Sequence, residues 1–288
     1  MVGLPGFEPG TFRLSAETAI VIDKNVLDRF YDFCLTDLQL TERTAKLHRW
    51  VIQRWLSWQG KRAITIDALR EYLKEHKRSG TYACIINAFR AFFRDFLKRG
   101  GLVESFKLPR REYSPKIIPN LKDLQRFYEA LPTINSKAAF LLYATTGLRR
   151  SEVLSLTFDD IDFKNRMVRP KSHKGSKTKH VWVTFYNEEA EEVLKKITNR
   201  RRKTLIGISD TTLKRAWKKA QDKTGLHITP QDLREWFSQT MGEKGVPDRY
   251  VDAFQGRIPR SVIARNYTDY SPERLKRIYD QANLRVLN

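Results

Sequence analysis

The sequence predicts a mainly α-helical chain with two domains: a small helical domain, then a mixed α+β domain that contains a small β-sheet or hairpin. Three observations support this fold class. Apolar residues recur at helical spacing through most of the chain. A stretch rich in prolines and basic residues interrupts that pattern before the middle of the chain. Beyond it, two short β-patterned segments flank a polar stretch, as the strands of a hairpin do.

Four parts are expected along the chain. Residues 1–18 begin with MVGLPGFEPGTF, which has neither a helical nor a strand pattern and predicts a flexible N-terminal arm. Residues 19–108 are expected to form the helical domain. Residues 109–119 belong to KLPRREYSPKIIPN, whose three prolines and basic residues indicate a linker. Residues 120–288 make up the second domain.

Amphipathic patterns predict four helices in the first domain. The first covers residues 25–38, and the second opens at Thr41, a residue type that caps helix N-termini. The third is expected to end at Gly80 and the fourth at 100–101, because glycine is common just beyond a helix C-terminus. Three tryptophans at helical spacing among apolar neighbours are expected in the core: Trp50, Trp55 and Trp58.

The second domain combines helices with one strand pair. Helical patterns cover residues 120–131 and 136–148. Residues 167–168 and 181–185 can pair as a hairpin around the polar stretch 171–179. Four further helices are predicted over residues 187–203, 209–225, 229–245 and 271–282.

Charge and composition restrict the class of partner. Lysine plus arginine total 54 against 33 acidic residues, a formal net charge of +21. Nucleic acid is the usual partner of so basic a chain, and an anionic membrane surface is the next candidate. The sequence shows no apolar run of membrane-spanning length and no secretory signal. We therefore expect no membrane partner and a cytoplasmic, nucleoid-associated protein.

The sequence points to phosphodiester chemistry that needs neither a metal nor a cofactor. It has no P-loop, and its five histidines and two cysteines form no metal-ligand pattern. A reaction of this kind needs a side-chain nucleophile and several cationic donors around the phosphate. Suitable side chains lie in three separate segments: Arg149, Arg234, Arg257 and Tyr267.

These segments resemble a known family. The family is that of the tyrosine recombinases, which includes phage integrases, Xer and Cre-type enzymes. Its first arginine box is similar to residues 146–162, TGLRRSEVLSLTFDDID. The family's second box resembles residues 228–257, ITPQDLREWFSQTMGEKGVPDRYVDAFQGR. The family's nucleophilic tyrosine is found at the place of residues 266–270, NYTDY. The resemblance covers about residues 117–285 in order. The variants KHVWVTFYNEE and FQGR look most like archaeal virus or plasmid (fusellovirus-type) integrases.

The resemblance implies roles for individual residues. Arg149 and Arg234 would each bind nonbridging phosphate oxygens, which the guanidinium fork suits better than an ammonium group. Tyr267 would attack phosphorus and form a 3′-phosphotyrosine. Glu152, one helical turn after Arg149, would orient the arginines.

Two positions depart from the family pattern. Gln231 stands where the family has the second-box histidine, and an amide can donate a hydrogen bond but cannot carry a proton at neutral pH. Arg257 stands where the family has another histidine. Its permanent charge suits stabilisation of the transition state better than proton transfer.

The general acid implied by the resemblance is a lysine of the hairpin. KTKHVWVTF resembles the archaeal pattern and favours Lys179, whereas HKGSK resembles the Xer pattern and favours Lys174. The lysines without this role, including Lys177, are expected to contact phosphates. Among the tyrosines, the spacing from Arg257 favours Tyr267 over its rival Tyr270.

The implied function is that of a site-specific DNA recombinase or integrase, which integrates a mobile element into a tRNA gene without metal or ATP. Double-stranded DNA is the expected partner, with Arg110 and Arg111 as contacts. A homo-tetramer is expected on paired sites and a monomer or dimer in free solution. Two alternatives remain: type IB-like topoisomerase activity and a DNA-binding relative with weakened catalysis.

The opening stretch fits this function at the level of DNA. Residues 6–9, GFEP, can be encoded as GGG TTC GAA CCC, which contains GGTTCGAACC, the pattern of a tRNA T-arm. We therefore expect codons 3–11 to form the attachment site. The alternative is an ordinary flexible arm.

Overall fold

A computed structural model describes residues 11–12, 20–21, 25–110, 115–170, 183–197, 203–257 and 261–287. The chain divides into two compact units, Met1–Ser114 and Pro115–Asn288. The fold is mainly helical with a small β-sheet in the second unit, which confirms the predicted fold class. The boundary between the units falls inside the predicted linker.

The first unit contains a short strand pair and a helical bundle. Strands β1 (Thr11–Phe12) and β2 (Ile20–Val21) pair antiparallel and straddle the predicted end of the arm at residue 18. The rest of residues 1–18 lies outside the described residues. The helices are α1 (Val26–Thr36), α2 (Glu42–Gln59), α3 (Ile66–Glu75) and α4 (Ser79–Phe89), followed by a π-helix (Arg90–Phe96) and a 3₁₀ turn (Gly100–Leu102).

One predicted helix boundary in this unit agrees with the structure and two differ from it. Thr41 caps α2 as predicted, because its hydroxyl accepts a hydrogen bond from the backbone N–H of Thr44. The prediction that the third helix runs to Gly80 is wrong. His76 leaves the helical backbone conformation, with φ −118° and ψ 47°, and Gly80 lies in the first turn of α4. The fourth helix also ends earlier than predicted, because the chain passes through the π-helix before its glycines.

The core of the first unit is built largely from aromatic rings. Trp55 is fully buried and packs edge-on against Phe89 and Phe93 at 5.6 and 5.2 Å. The expectation that all three tryptophans are core residues is wrong for Trp50, which is 50% exposed. The guanidinium of Arg54 lies 4.9 Å from its ring centroid and covers that apolar surface.

The second unit is built around one buried helix. It contains α5 (Leu121–Ala130), α6 (Ile134–Thr146), α7 (Arg150–Ser155), α8 (Glu188–Ile197), α9 (Asp210–Thr224), α10 (Pro230–Glu243), α11 (Asp248–Phe254), α12 (Val262–Asn266) and α13 (Pro272–Ala282). A 3₁₀ turn covers Phe158–Asp160. Helix α6 packs against α8 and α10, and nearly all of its side chains are buried. This helix therefore fixes where its C-terminal end, and the loop after it, lie in the unit.

A small antiparallel sheet packs beside α6. Its order is β3 (Ile161–Asp162), β4 (Met167–Val168) and β5 (Thr184–Phe185), with Met167 opposite Phe185. The predicted pairing of the two hairpin strands is confirmed at these residues. Residues 171–182, which connect the strands, lie outside the described residues. In the described part of the chain, no helix is both long and apolar enough to cross a membrane.

Candidate active site

The C-terminal end of α6 is held by side chains from three other elements. The last carbonyls of a helix have no partner within the helix and need other donors. Here three consecutive carbonyls accept hydrogen bonds from α13, β5 and α10. The donors are the hydroxyl of Tyr279 to Thr145 at 2.8 Å, the hydroxyl of Thr184 to Thr146 at 2.8 Å, and Nη1 of Arg234 to Gly147. The helix end that leads to Arg149 is thus bonded directly to Arg234 of α10 and is held in place by β5 and α13.

Gly147 forms the turn that leads from α6 to Arg149. Its backbone is left-handed, with φ +65°, a conformation that costs other residues about 1–2 kcal/mol. A Cβ atom here would lie 2.5 Å from Cδ1 of Phe237 and 3.1 Å from Cγ of Gln255. Glycine therefore permits the close approach of α10 to this turn.

Arg149 is the N-cap residue of α7 and is held by Glu152. The backbone N–H of Arg149 donates to Oε2 of Glu152 at 2.7 Å, and Nη1 donates to Oε1 at 2.8 Å. Glu152 is buried. The contact between these two residues fits the orienting role that the sequence analysis assigned to the glutamate.

Arg234 lies at the centre of the arginine group and is only 3% exposed. Its Nη2 donates to the carbonyl of Gln255 at 2.8 Å, and Nε2 of Gln255 donates back to the carbonyl of Arg234 at 2.8 Å. Burial, together with the charges of Arg149 and Arg257, lowers the pKa of Arg234 to about 10. The guanidinium remains charged at neutral pH, and Arg149 and Arg257 both lie within electrostatic range of it.

Arg257 follows α11 and is held by the end of that helix. Its backbone N–H donates to the carbonyl of Asp252 at 2.8 Å, and its Nη1 lies 3.3 Å from the Asp252 carboxylate. The side chain is exposed, so it can also contact a ligand.

Gln231 belongs to a small polar group at the start of α10. Its Nε2 donates to Oε1 of Glu235 at 2.8 Å, and Lys116 forms an ion pair with the same oxygen. Burial alone would raise the pKa of Glu235, but the hydrogen bonds from Lys116 and Gln231, together with the charges of Lys116 and Arg257, hold it below its usual range. The carboxylate is therefore ionised at neutral pH.

The candidate tyrosines have different environments. Tyr267 lies directly after α12 and is 80% exposed. The hydroxyl of Tyr270 donates to the carbonyl of Ala264 at 2.5 Å, and its ring packs against Tyr250. Tyr279 is buried, and burial raises the pKa of its hydroxyl. Among these three, the exposure of Tyr267 suits a nucleophile that must reach DNA.

Two further sets of residues have predicted roles, the hairpin lysines and the linker arginines. The hairpin lysines Lys174, Lys177 and Lys179 lie outside the described residues, as does Arg111. Arg110 is described and exposed.

The structure adds residues to the site that sequence reasoning missed. They are the partners of the arginines and of the glutamine: Gln255, Asp252, Glu235 and Lys116. The i,i+4 spacing of Gln231 and Glu235 was a usable signal, because residues four apart share a helix face. The contact of Gln255 with Arg234 had no comparable signal, since 21 residues separate the two.

The chain is similar to known proteins of one family. The Phage integrase family matches residues 120–274, more than half of the chain. Tyrosine recombinase XerA of Pyrococcus furiosus is 25% identical over 258 residues, which cover 85% of this chain and 89% of that protein.

Solved structures share the fold. A lambda integrase dimer bound to a COC′ core site has a TM-score of 0.66 and 17% identity, and the match covers 85% of this chain and 76% of that one. A lambda integrase tetramer bound to a Holliday junction has a TM-score of 0.64 and 16% identity, with the same coverage. The chain belongs to the phage integrase family and is a tyrosine site-specific recombinase.

Proposed function

We propose that this enzyme cuts and rejoins double-stranded DNA through a 3′-phosphotyrosine on Tyr267, without metal or ATP. The observation that carries this proposal is the group of three arginines formed by the buried Arg234 with Arg149 and Arg257. Arg234 donates to the carbonyls of Gly147 and Gln255, each two residues before one of the other arginines, so the three guanidinium groups belong to one hydrogen-bonded region. Such a group suits a phosphate that gains charge in the transition state.

The nearby carboxylates position the arginines and leave the site positive. Glu152 pairs with Arg149, and Asp252 pairs with Arg257. Three guanidinium charges against two carboxylates leave a net positive charge, which a DNA phosphate would neutralise. Of the five N–H groups of Arg234, two donate to backbone carbonyls and three are left for phosphate oxygens.

The reaction needs only side chains of this protein, the DNA and solvent water. The Tyr267 oxygen forms a bond to phosphorus while the bond from phosphorus to the 5′-oxygen breaks. The leaving 5′-oxygen takes a proton from a hairpin lysine, Lys179 or alternatively Lys174. Because Tyr267 is highly exposed, water takes its phenolic proton, which Gln231 could not accept. Attack by another 5′-hydroxyl reverses these steps, so no external energy source is needed.

We propose further that the enzyme belongs to an archaeal mobile element and integrates that element into a tRNA gene. This proposal is supported by the family resemblance of FQGR and by the T-arm pattern that codons 6–9 can carry. We propose that the enzyme forms a homo-tetramer on paired sites inside the cell, at the nucleoid. The lambda integrase tetramer on a Holliday junction supports that assembly state.

A nicked duplex tests the proposal. The duplex carries GGTTCGAACC with its gene flanks, alongside a pool of tRNA-gene 3′ ends, and the nick lets the cleaved fragment diffuse away. We expect a covalent protein–DNA adduct on a denaturing gel, absent for Tyr267→Phe. Relaxation of any supercoiled plasmid regardless of sequence would favour the topoisomerase alternative. Binding without an adduct would favour the weakened relative.

A further inference from the structure

Glu235 connects two side chains at the start of α10 that otherwise belong to separate segments. It follows Arg234 directly and lies one helical turn after Gln231. Nε2 of Gln231 donates to Oε1 of Glu235 at 2.8 Å, and the ammonium of Lys116 pairs with the same oxygen. The Glu235 side chain is 14% exposed, whereas that of Lys116 is 65% exposed. A mostly buried carboxylate thus holds a solvent-accessible cation.

This contact fixes the orientation of the Gln231 amide. An ionised carboxylate only accepts hydrogen bonds, so the amide nitrogen must face it and the amide oxygen must face away. The second N–H of Gln231 and two N–H groups of Lys116 are left to donate elsewhere. Glu235, the residue after the buried Arg234, therefore holds three available donors, and Arg257 lies within electrostatic range of its carboxylate.

The same contacts decide between two roles for Glu235. A proton acceptor for tyrosine, whose ordinary pKa is about 10, should have a pKa near the working pH. The ion pair with Lys116 and the bond from Gln231 act in the opposite direction, and they hold the pKa of Glu235 below its usual range despite burial. Glu235 is therefore a poor base, and its contacts suit a positioning role.

We propose that Glu235 is a positioning residue that aligns the Gln231 amide and the Lys116 ammonium, so that both donate to the scissile phosphate. This inference rests on the proposed function, because it assumes that a DNA phosphate binds at the arginine group. The proposed function thereby gains a further phosphate contact, the ammonium of Lys116 at the start of the second unit. The proposal also explains how a glutamine at position 231 can act, as an oriented hydrogen-bond donor.

The chain offers a matched control on the same helix. Nε2 of Gln239 donates to Oε1 of Glu243 at 2.9 Å, with the same i,i+4 spacing. Eight residues along a helix correspond to about 12 Å, so this second pair lies away from the first turn of α10. A general effect of losing a glutamate from α10 would appear in both pairs, whereas a positioning effect would appear only at Glu235.

The first experiment separates binding from cleavage in the full-length protein. The variants are Glu235→Gln, Lys116→Met, their combination, and Glu243→Gln as the control. We expect Glu235→Gln to slow single-turnover adduct formation by about tenfold to a hundredfold on the nicked duplex, with DNA affinity changed less than threefold. The double variant should be no slower than the slower single variant. Equal rates for Glu235→Gln and Glu243→Gln, or multiplied effects in the double variant, would overturn the inference.

A second measurement does not depend on cleavage. Carboxyl ¹³C NMR follows the titration of glutamates in the free protein, with and without Lys116→Met. We expect this change to raise the pKa of Glu235 and leave that of Glu243 unchanged. An unchanged Glu235 would overturn the inference even if the wild type forms adducts. If the pairing is confirmed but the wild type forms no adduct, the proposed function fails and the positioning role fails with it.

Discussion

Arg234 donates a hydrogen bond from Nη1 to the carbonyl oxygen of Gly147, although 87 residues separate them in the sequence. Its Nη2 donates to the carbonyl of Gln255 at 2.8 Å. One buried guanidinium thus joins the turn before Arg149 to the segment that ends at Arg257. The position of each arginine therefore depends on the others. We expect substitution of an arginine to slow cleavage, and substitution of the residues that hold the end of α6 to lower the stability of the fold.

Replacing Arg149 with lysine should abolish most cleavage. Lysine keeps the charge but loses the planar fork, which donates to Glu152 and which we propose also binds the phosphate. We expect Arg149→Lys to slow adduct formation by about 10²–10³-fold. The neighbouring Arg150, which pairs with Asp210 at 3.1 Å, provides the control. Equal rates for Arg149→Lys and Arg150→Lys would contradict the role assigned to Arg149.

Thr184→Val should destabilise the second unit. The buried hydroxyl of Thr184 is a donor to the carbonyl of Thr146, and an isosteric valine removes it without changing the shape. Loss of a buried partner should lower the free energy of unfolding by about 1–3 kcal/mol, measured by chemical denaturation. Thr184→Ser keeps the hydroxyl and should lose less. If serine proves more destabilising than valine, this hydrogen bond does not anchor β5 to α6.

Gly147→Ala should be destabilising for a steric reason. The left-handed backbone costs alanine about 1–2 kcal/mol, and the contact with Phe237 adds to that cost. We expect a lower melting temperature by differential scanning calorimetry. Gly225, which is also left-handed but has no atom within 4 Å of a Cβ, should tolerate alanine better. Equal shifts for the two variants would show that the approach of Phe237 does not constrain this turn.

The Lys116–Glu235 pair should make stability depend on pH in a defined direction. The pKa of Glu235 is lower in the folded protein than the ordinary value of about 4.3. Its contribution is therefore complete above that value and is lost as the pH falls through the folded pKa. Lys116→Met should lower the free energy of unfolding at pH 7 by no more than about 1 kcal/mol. The difference from wild type should vanish in acid, and a difference that grows on acidification would contradict the pairing.

The sequence predicted the helices well, but it predicted less well where they end. Thr41 caps α2 as its type suggests, because a cap is a local interaction between residues three apart. The predicted end of α3 at Gly80 was wrong because glycine adopts many backbone conformations, and here Gly80 lies in the first turn of the next helix. Trp50 kept a helical spacing typical of core residues, yet it lies at the edge of the buried face.

The site was predictable only in part. Family resemblance indicated the arginines and Tyr267 as candidates, and Glu152, one helical turn after Arg149, does contact that arginine. The hydrogen bonds to the end of α6 were not predictable from pattern. The bond from Tyr279 to Thr145 spans 134 residues, and such pairing depends on how the helices pack.

Identifying the residue that carries the DNA tests the central claim most directly. The adduct formed on the nicked duplex is digested with a protease and a nuclease, and the nucleotide-linked peptide is sequenced by mass spectrometry. The account predicts that the modified residue is Tyr267, the exposed tyrosine ten residues after Arg257. A modified Tyr270 instead, or an adduct that Tyr267→Phe still forms, would contradict it.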